Sequence, residues 1–398
     1  MLVDQLLDSG MITTHAVECA FRTVPRHAFV PPGTPLEEVY SVDRAMITKR
    51  DEHGAPLSSV SATYIQALMI EQAGVGRGMR VLEVGSGGYN AALLAEVVGP
   101  EGRVVSVDID ADITDRAREL LHETGYGDRV EVVLADGEHG VPGQSGFDRI
   151  LVTVGAWDIA PGWLTSLVSD GVVVVPLRMN GVTRTIAFHR DGEHLASSSA
   201  EFAGFVPMQG AGARAERILR LPDGYGRYVS LQFDAGAPED PARLDGVLAS
   251  GRSPVWSGVT VEHGVSFADL HLWFAGFLPG FCRVAADDGI DLATDGGRWF
   301  PFGAVEDDSF TCLITRPTPD DTGVEFGAAS YGPDSRAAKA IVEQVKAWDE
   351  RVRHSCSHPT FTYWPNGVNP AGQLSGTAAQ MATLVKTHGL VTICWPAS

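Results

Sequence analysis

The sequence predicts an α/β chain: a doubly wound, mostly parallel sheet in the N-terminal half, followed by a smaller α+β domain. Three observations carry this prediction. Between Arg80 and Pro176 short apolar runs alternate with helical stretches, the pattern of parallel strands joined by crossover helices. Two of those runs, RILVTV from Arg149 and VVVVP from Val172, are almost uninterruptedly apolar, as strands buried on both faces are. After Met208 the alternation stops, and the Gly- and Arg-rich stretch GAGARAERILRLPDGYGRY lacks clear periodicity. A chain of 398 residues exceeds the usual single-domain size, so a boundary is placed there, giving domains 1–208 and 209–398.

In order along the chain, residues 1 to about 30 read as helical, with Thr13 or Thr14 as N-cap of HAVECAFRTV; Pro25 and Pro31-Pro32 interrupt it. Residues 61–73 form a second helical run that leads into a Gly-rich turn. The spacing then predicts a strand over 80–84, a helix over 90–98, a strand over 104–108, a helix over 112–124 and a strand over 130–135. Strands are expected at 149–154 and 172–176, separated by a helix around 162–168. In the second domain short aromatic strands (WSGVTV, RWFPFGAV, FTCLITR, FTYWP, LVTICWP) mix with a few helices. The clearest helix is 335–352, where Ala338, Ile341, Val342, Val345, Trp348 and Val352 make one apolar stripe.

Composition narrows the function. Apolar residues at 44% and charged ones at 20% suit a chain that buries large cores. A net charge of −20, with no basic patch interleaved with aromatics, argues against nucleic-acid and anionic-membrane partners. No stretch approaches the ~18 apolar residues of a membrane span, and the N-terminus lacks the charge pattern of a signal peptide. Cys19, Cys282, Cys312, Cys356 and Cys394 are scattered without a CxxC, which suits a reducing compartment; a cytoplasmic enzyme is expected. His354, Cys356 and His358 in HSCSH would share a face if extended, but the spacing is no established zinc pattern, and no metal is expected. No nucleophile elbow or hydrolase triad is present.

The chemistry concentrates in RVLEVGSGGYNAALLAEVVG, residues 80–99, where a buried strand ends in Glu83 and a glycine turn and a helix begins at once. Glycines let the backbone turn sharply and approach a ligand closely. In a doubly wound sheet such a turn faces the ligand crevice. The next strand ends in Asp108, which can accept both hydroxyls of a ribose, and a third ends in Asp136-Gly137, suited to an adenine. A glycine turn and a later acid do not separate a nicotinamide dinucleotide from S-adenosylmethionine. The turn reads E-V-G-S-G-G rather than G-x-G-x-x-G, and an acid before the glycines would repel a pyrophosphate but not a cationic sulfonium.

Residues 20 to about 178 resemble the protein-L-isoaspartate O-methyltransferase family along their whole length. The resemblance rests on VPRHAFVPP, on LSSVSATYIQALM against the family's T-I-S-Q-P segment, on the glycine loop, and on FDRILVTVGAWDIAPGWLTSL with DGVVVVPL after it. It implies a class I, Rossmann-like S-adenosylmethionine methyltransferase fold. It also implies that Glu83, Gly85, Gly87, Asp108, Asp136 and Gly137, with Val84, Ser86, Asn90 and Ile109 beside them, line the cofactor site. Ser61 falls on the serine beside the substrate carboxyl, with Ser59 and Val60 next to it; a helix N-cap is the alternative role for Ser61. Two departures stand out: the glycine loop is one residue shorter than the family's G-x-G-S-G-Y, and Thr63 replaces the proline after the serine.

The reaction that the resemblance implies is carboxyl methylation of a peptide. The ester is then lost as the next backbone amide attacks it to form a succinimide. The repair enzymes of this family are about as long as the first domain alone. The longer chain resembles relatives that tailor ribosomally made peptides such as lanthipeptides, where an aspartate ends as isoaspartate. The added domain would then recognise a modified precursor peptide. Its aromatics (Trp256, Trp273, Phe274, Phe277, Phe281, Trp299, Phe300, Phe302, Tyr363, Trp364) suit a peptide-binding surface or simply its core. Repair of isoaspartyl proteins is the alternative within the family; a small-molecule methyltransferase and an inactive peptide-binding module are the others.

Overall fold

A computed structural model of the chain describes residues 2–293, 297–355, 358–370 and 380–396. Among these, ten strands form one mixed sheet and seven form a second, antiparallel one. One half of the first sheet is parallel, in the spatial order Leu167–Met179, Phe147–Val152, Arg80–Val84, Arg103–Asp108, Val130–Leu134. The order reverses at Arg80–Val84, whose neighbours are reached by connections running in opposite directions, and this opens a crevice at its carboxyl end. Helices Thr63–Ala73, Tyr89–Val98, Ala111–Glu123 and Pro161–Ser166 accompany these strands.

The other half of that sheet is antiparallel, and local sequence pattern does not announce most of it. The predicted strand at 172–176 extends over Leu167–Met179 and folds back as Val182–Asp191 and His194–Phe202. Beyond them lie Thr360–Pro365, Gly389–Trp395 and Gln380–Val385, paired in that order. The last part of the chain thus completes the first sheet, so residues 209–398 contribute to both sheets.

The second sheet comprises Arg217–Pro222, Tyr228–Phe233, Phe281–Ala286, Arg298–Glu306, Ser309–Pro317, Gly323–Tyr331 and Arg252–Glu262, in that order. Helices Ala268–Phe277 and Arg336–Trp348 lie in the layer beside it. The expected stripe Ala338, Ile341, Val342, Val345, Trp348 and Val352 is buried throughout, and the helix loosens into a wider turn at Asp349–Arg353. One apolar core runs without a break from Leu82 and Ile150 through Phe188, Trp273 and Ile341 to Tyr363 and Trp395. None of the second domain's ten aromatics singled out above is exposed: Trp273, Phe274, Phe281, Tyr363 and Trp364 are buried, and the others are half-buried and pack against the apolar cores. Cys356 lies outside the described residues, so the HSCSH reading is not addressed; no cluster of metal-ligating side chains occurs among the described residues. No described helix is long and apolar enough to cross a membrane.

Candidate functional site

A cleft of about 600 Å³ opens where the sheet order reverses, lined by Glu83, Gly85, Ser86, Gly87, Asn90 and Asp108 on one side and by Leu57 to Ser61 on the other. A second cavity of about 400 Å³ continues from it past Val84, Ile109, Asp136 and Gly137. The expected cofactor residues therefore share one continuous surface.

Two glycines shape it. Gly85 sits at φ +98°, and a Cβ there would lie 2.6 Å from Thr153 Oγ1, so a side chain is barred both by conformation and by space. A Cβ on Gly137 would lie 2.7 Å from Val84 Cγ1, inside the groove. Asp108 organises the turn: Oδ2 accepts the Ser86 amide at 2.9 Å and Oδ1 the Asp110 amide at 2.9 Å. Each oxygen retains a lone pair for a diol. Asp136 accepts the Glu138 amide at 3.0 Å and the Ala211 amide at 2.8 Å, tying its turn to the segment 210–212. Ile109 is 40% exposed beside it and lines the second cavity.

Glu83 is fully buried, accepting Ser106 Oγ at 2.5 Å and Asn90 Nδ2 at 2.8 Å. Asn90 thus acts through Glu83 as well as lining the cleft. Burial pushes the carboxyl up to about 7, against those two hydrogen bonds. At neutral pH it is therefore only partly charged, which weakens the simple repulsion argument against a pyrophosphate. It also yields a prediction. The folded carboxyl holds its proton to about 7 and the unfolded one only to about 4.5, so Glu83 costs the fold stability as pH rises through that window. Glu83→Gln should flatten the fall in thermal stability between these pH values by up to about 3 kcal/mol; identical pH profiles would show that the burial is relieved some other way.

The acceptor side is built by the hairpin Met46–Arg50/Pro56–Val60 and the start of helix Thr63–Ala73. Ser61 is not the N-cap: Ala62 takes that position and no side chain caps the helix. Its Oγ makes no hydrogen bond to another described residue, while its carbonyl is held by Arg26 Nη2 at 2.8 Å. Arg26, from the VPRHAFVPP stretch, is wholly buried and also grips Gln66 Oε1 at 2.9 Å and Val39 O at 2.8 Å. Sequence reasoning missed this positioning role, although a charged residue inside an apolar run was the available signal. Thr63 Oγ1 donates to Val42 O at 3.0 Å, fastening the 41–42 segment to the helix start.

Sequence reasoning also missed Thr153, Val154 and the segment 205–209, which close the cleft from the far side. They are placed by two backbone bonds, Gly155 N to Val206 O at 2.8 Å and Met208 N to Gly155 O at 3.0 Å, which no periodicity announces. The residues fit S-adenosylmethionine on a structural observation of their own: Ser86 Oγ is buried in the cleft wall without a partner in the protein. Such a hydroxyl is costly unless a ligand satisfies it.

Comparison with known proteins agrees with this geometry. The family described as protein-L-isoaspartate(D-aspartate) O-methyltransferase matches residues 1–212. The chain is similar to the protein-L-isoaspartate O-methyltransferase of Methanopyrus kandleri, 39% identical over 44% of this chain and 75% of that one. It is also similar to that of Hyperthermus butylicus, 35% identical over 52% of this chain and 87% of the other. A solved structure titled protein-L-isoaspartate O-methyltransferase aligns over 91% of this chain and 95% of its own with a TM-score of 0.51; at 22% identity it shows a shared fold, second sheet included. The glycine turn, the acid after the next strand and the match over residues 1–212 lead to one conclusion: the chain belongs to the protein-L-isoaspartate O-methyltransferase family and is an S-adenosylmethionine-dependent carboxyl methyltransferase.

Proposed function

We propose that the chain methylates the free carboxylate of an L-isoaspartyl residue in a peptide or protein, with Ser61 as the group that holds the acceptor. The observation that carries this reading is the unpartnered Ser61 hydroxyl, set on the cleft wall opposite Gly85 and Gly87 on a backbone that the buried Arg26 immobilises. Asp108 would hold the ribose, Val84, Ile109, Asp136 and Gly137 the adenine, and Gly85, Ser86, Gly87 and Asn90 the amino-acid end. When bound, S-adenosylmethionine supplies a methyl group made electrophilic by a positively charged sulfur.

Catalysis in this site is positioning. The acceptor carboxylate is ionised at neutral pH and needs no base. Ser61, with Ser59 and Val60 beside it, would hold one carboxylate oxygen in line with the methyl group that the cofactor supplies, and no side chain has to take or give a proton. The apolar wall of Leu57, Ile65, Met69 and Phe205 keeps water from competing. The ester's methoxide then leaves as methanol when the following amide nitrogen attacks, closing a succinimide without further help from the enzyme.

A second reading, tailoring of a ribosomally made precursor peptide at an aspartate, is favoured by Thr63. A proline after the serine could not make the bond from Thr63 to Val42, so the acceptor wall is built differently here. The added length does not favour it, because a chain titled protein-L-isoaspartate O-methyltransferase shares the two-sheet fold.

Mass spectrometry of an isoaspartyl peptide and of a cyclised aspartate-containing precursor, each incubated with enzyme and S-adenosylmethionine, separates the two. We expect gain of one methyl on the isoaspartyl peptide, then loss of methanol. Methylation of the precursor alone would overturn the main reading in favour of tailoring. Ser61→Ala should slow turnover of the accepted peptide by about 10- to 100-fold, the worth of one hydrogen bond to a charged group, and leave cofactor affinity unchanged.

A further inference from the structure

Beyond the residues the family match covers, the chain reaches back to the cofactor groove. Strands Gln380–Val385 and Gly389–Trp395 are joined by a tight turn closed by Lys386 N to Gly389 O at 2.9 Å. That turn is fastened on every side. Lys386 Nζ, buried against the Trp157 ring at 3.7 Å, donates to Arg178 O. The amide of His388 donates to Asp158 Oδ2 at 2.5 Å, and its carbonyl accepts Asn366 N at 2.9 Å. Asp158 is itself held by Tyr363 Oη at 2.9 Å.

What this scaffold presents is the imidazole of His388, whose Nε2 lies 3.2 Å from Glu138 Oε1. Glu138 is 8% exposed and sits two residues after Asp136. Its amide is one of the two that hold the Asp136 carboxylate, and its own carboxylate lies against the 208–212 segment: a Cβ on Gly212 would be 2.5 Å from Glu138 Oε2. Asp136, Gly137, Met208 and Gln209 together line the adenine-side cavity. Burial first, then the charges of Asp158 and Asp136, disfavour the ionised Glu138 carboxyl, which leaves the His388 contact to offset them.

We propose that His388 is a positioning residue for the cofactor: it holds Glu138 and so sets the Asp136–Gly137 turn and the 208–212 segment that enclose the adenine. The C-terminal strands are in this view part of the cofactor site, whatever peptide the enzyme accepts.

The test is calorimetric binding of S-adenosylhomocysteine to the full-length chain, with steady-state kinetics alongside. His388→Ala should raise the dissociation constant about tenfold and raise KM for S-adenosylmethionine in parallel, with kcat within about twofold. His388→Gln, whose amide can still donate to Glu138, should recover most of the affinity. Asn366→Ala serves as control, since Asn366 Nδ2 supports the same turn through Thr387 O at 3.1 Å without touching Glu138. An unchanged dissociation constant in His388→Ala overturns the proposal. So does an equal loss in all three variants, which would mean the turn matters only for folding. Because the readout is product binding, it is independent of which peptide is methylated.

Discussion

Asp108→Asn is expected to raise the dissociation constant for S-adenosylhomocysteine by about a hundredfold, the largest single-residue effect in the site. The carboxylate has two tasks at once. It accepts the Ser86 and Asp110 amides, which fixes the glycine turn, and its remaining lone pairs face the groove. An amide keeps one acceptor oxygen but sets an N–H donor against one of those backbone N–H groups. The charge that strengthens a diol contact is also lost. Two charge-assisted hydrogen bonds at about 1.5 kcal/mol each amount to roughly a hundredfold in affinity. Calorimetry on a variant with an unchanged thermal midpoint is the measurement, and an affinity within threefold of the parent would remove Asp108 from the cofactor contacts.

The second large effect concerns the whole chain. A chain ending at residue 212, where the family match ends, should fail to give a soluble, cooperatively folding protein. In the intact structure Leu177, Met179, Val182, Ile186, Phe188 and Leu195 are buried in the core that Trp273, Tyr363 and Trp395 also build. Removing that cover exposes side chains whose burial stabilises the fold by about 2 kcal/mol each. Their sum, about 12 kcal/mol, is as large as the whole net stability of a typical domain. The cut would also leave His194–Phe202 as an open edge without Thr360–Pro365. Size-exclusion chromatography and thermal unfolding of the two lengths decide it: a monomeric fragment melting within about 5 °C of the full chain would contradict a shared core.

Local pattern made the parallel half of the first sheet legible. The predicted strand at 80–84 is the observed one, and the helix and strand positions between 89 and 152 differ only at their ends. These elements carry their own signals: continuous apolar runs, helical spacing, and glycines where the turn must approach a ligand. Glu83, Gly85, Asp108 and Gly137 could be expected at one cleft for that reason, since each sits at a strand end that the pattern marks.

The antiparallel half was not legible in the same way. His194–Phe202, HLASSSAEF, is largely polar, and only its pairing with Val182–Asp191 and Thr360–Pro365 makes it a strand. Arg217–Pro222 is exposed over most of its length and shows no apolar alternation for the same reason: it is a sheet edge with little to bury. The segment 205–209 and Arg26 likewise depend on partners far away in the chain.

The sequence by itself therefore determined the doubly wound core and the strand ends that bear the candidate site, because those depend on local backbone geometry and periodic burial; the cofactor class was legible only through the resemblance to a family, since a glycine turn and a later acid serve other nucleotides as well. Tertiary structure alone decided that the last strands complete the first sheet, that half of the second domain's ten aromatics are buried and the rest half-buried, and that His388 meets Glu138. Those outcomes rest on contacts across more than 150 residues, whose register is chosen by mutual burial and leaves no trace in any short window of sequence.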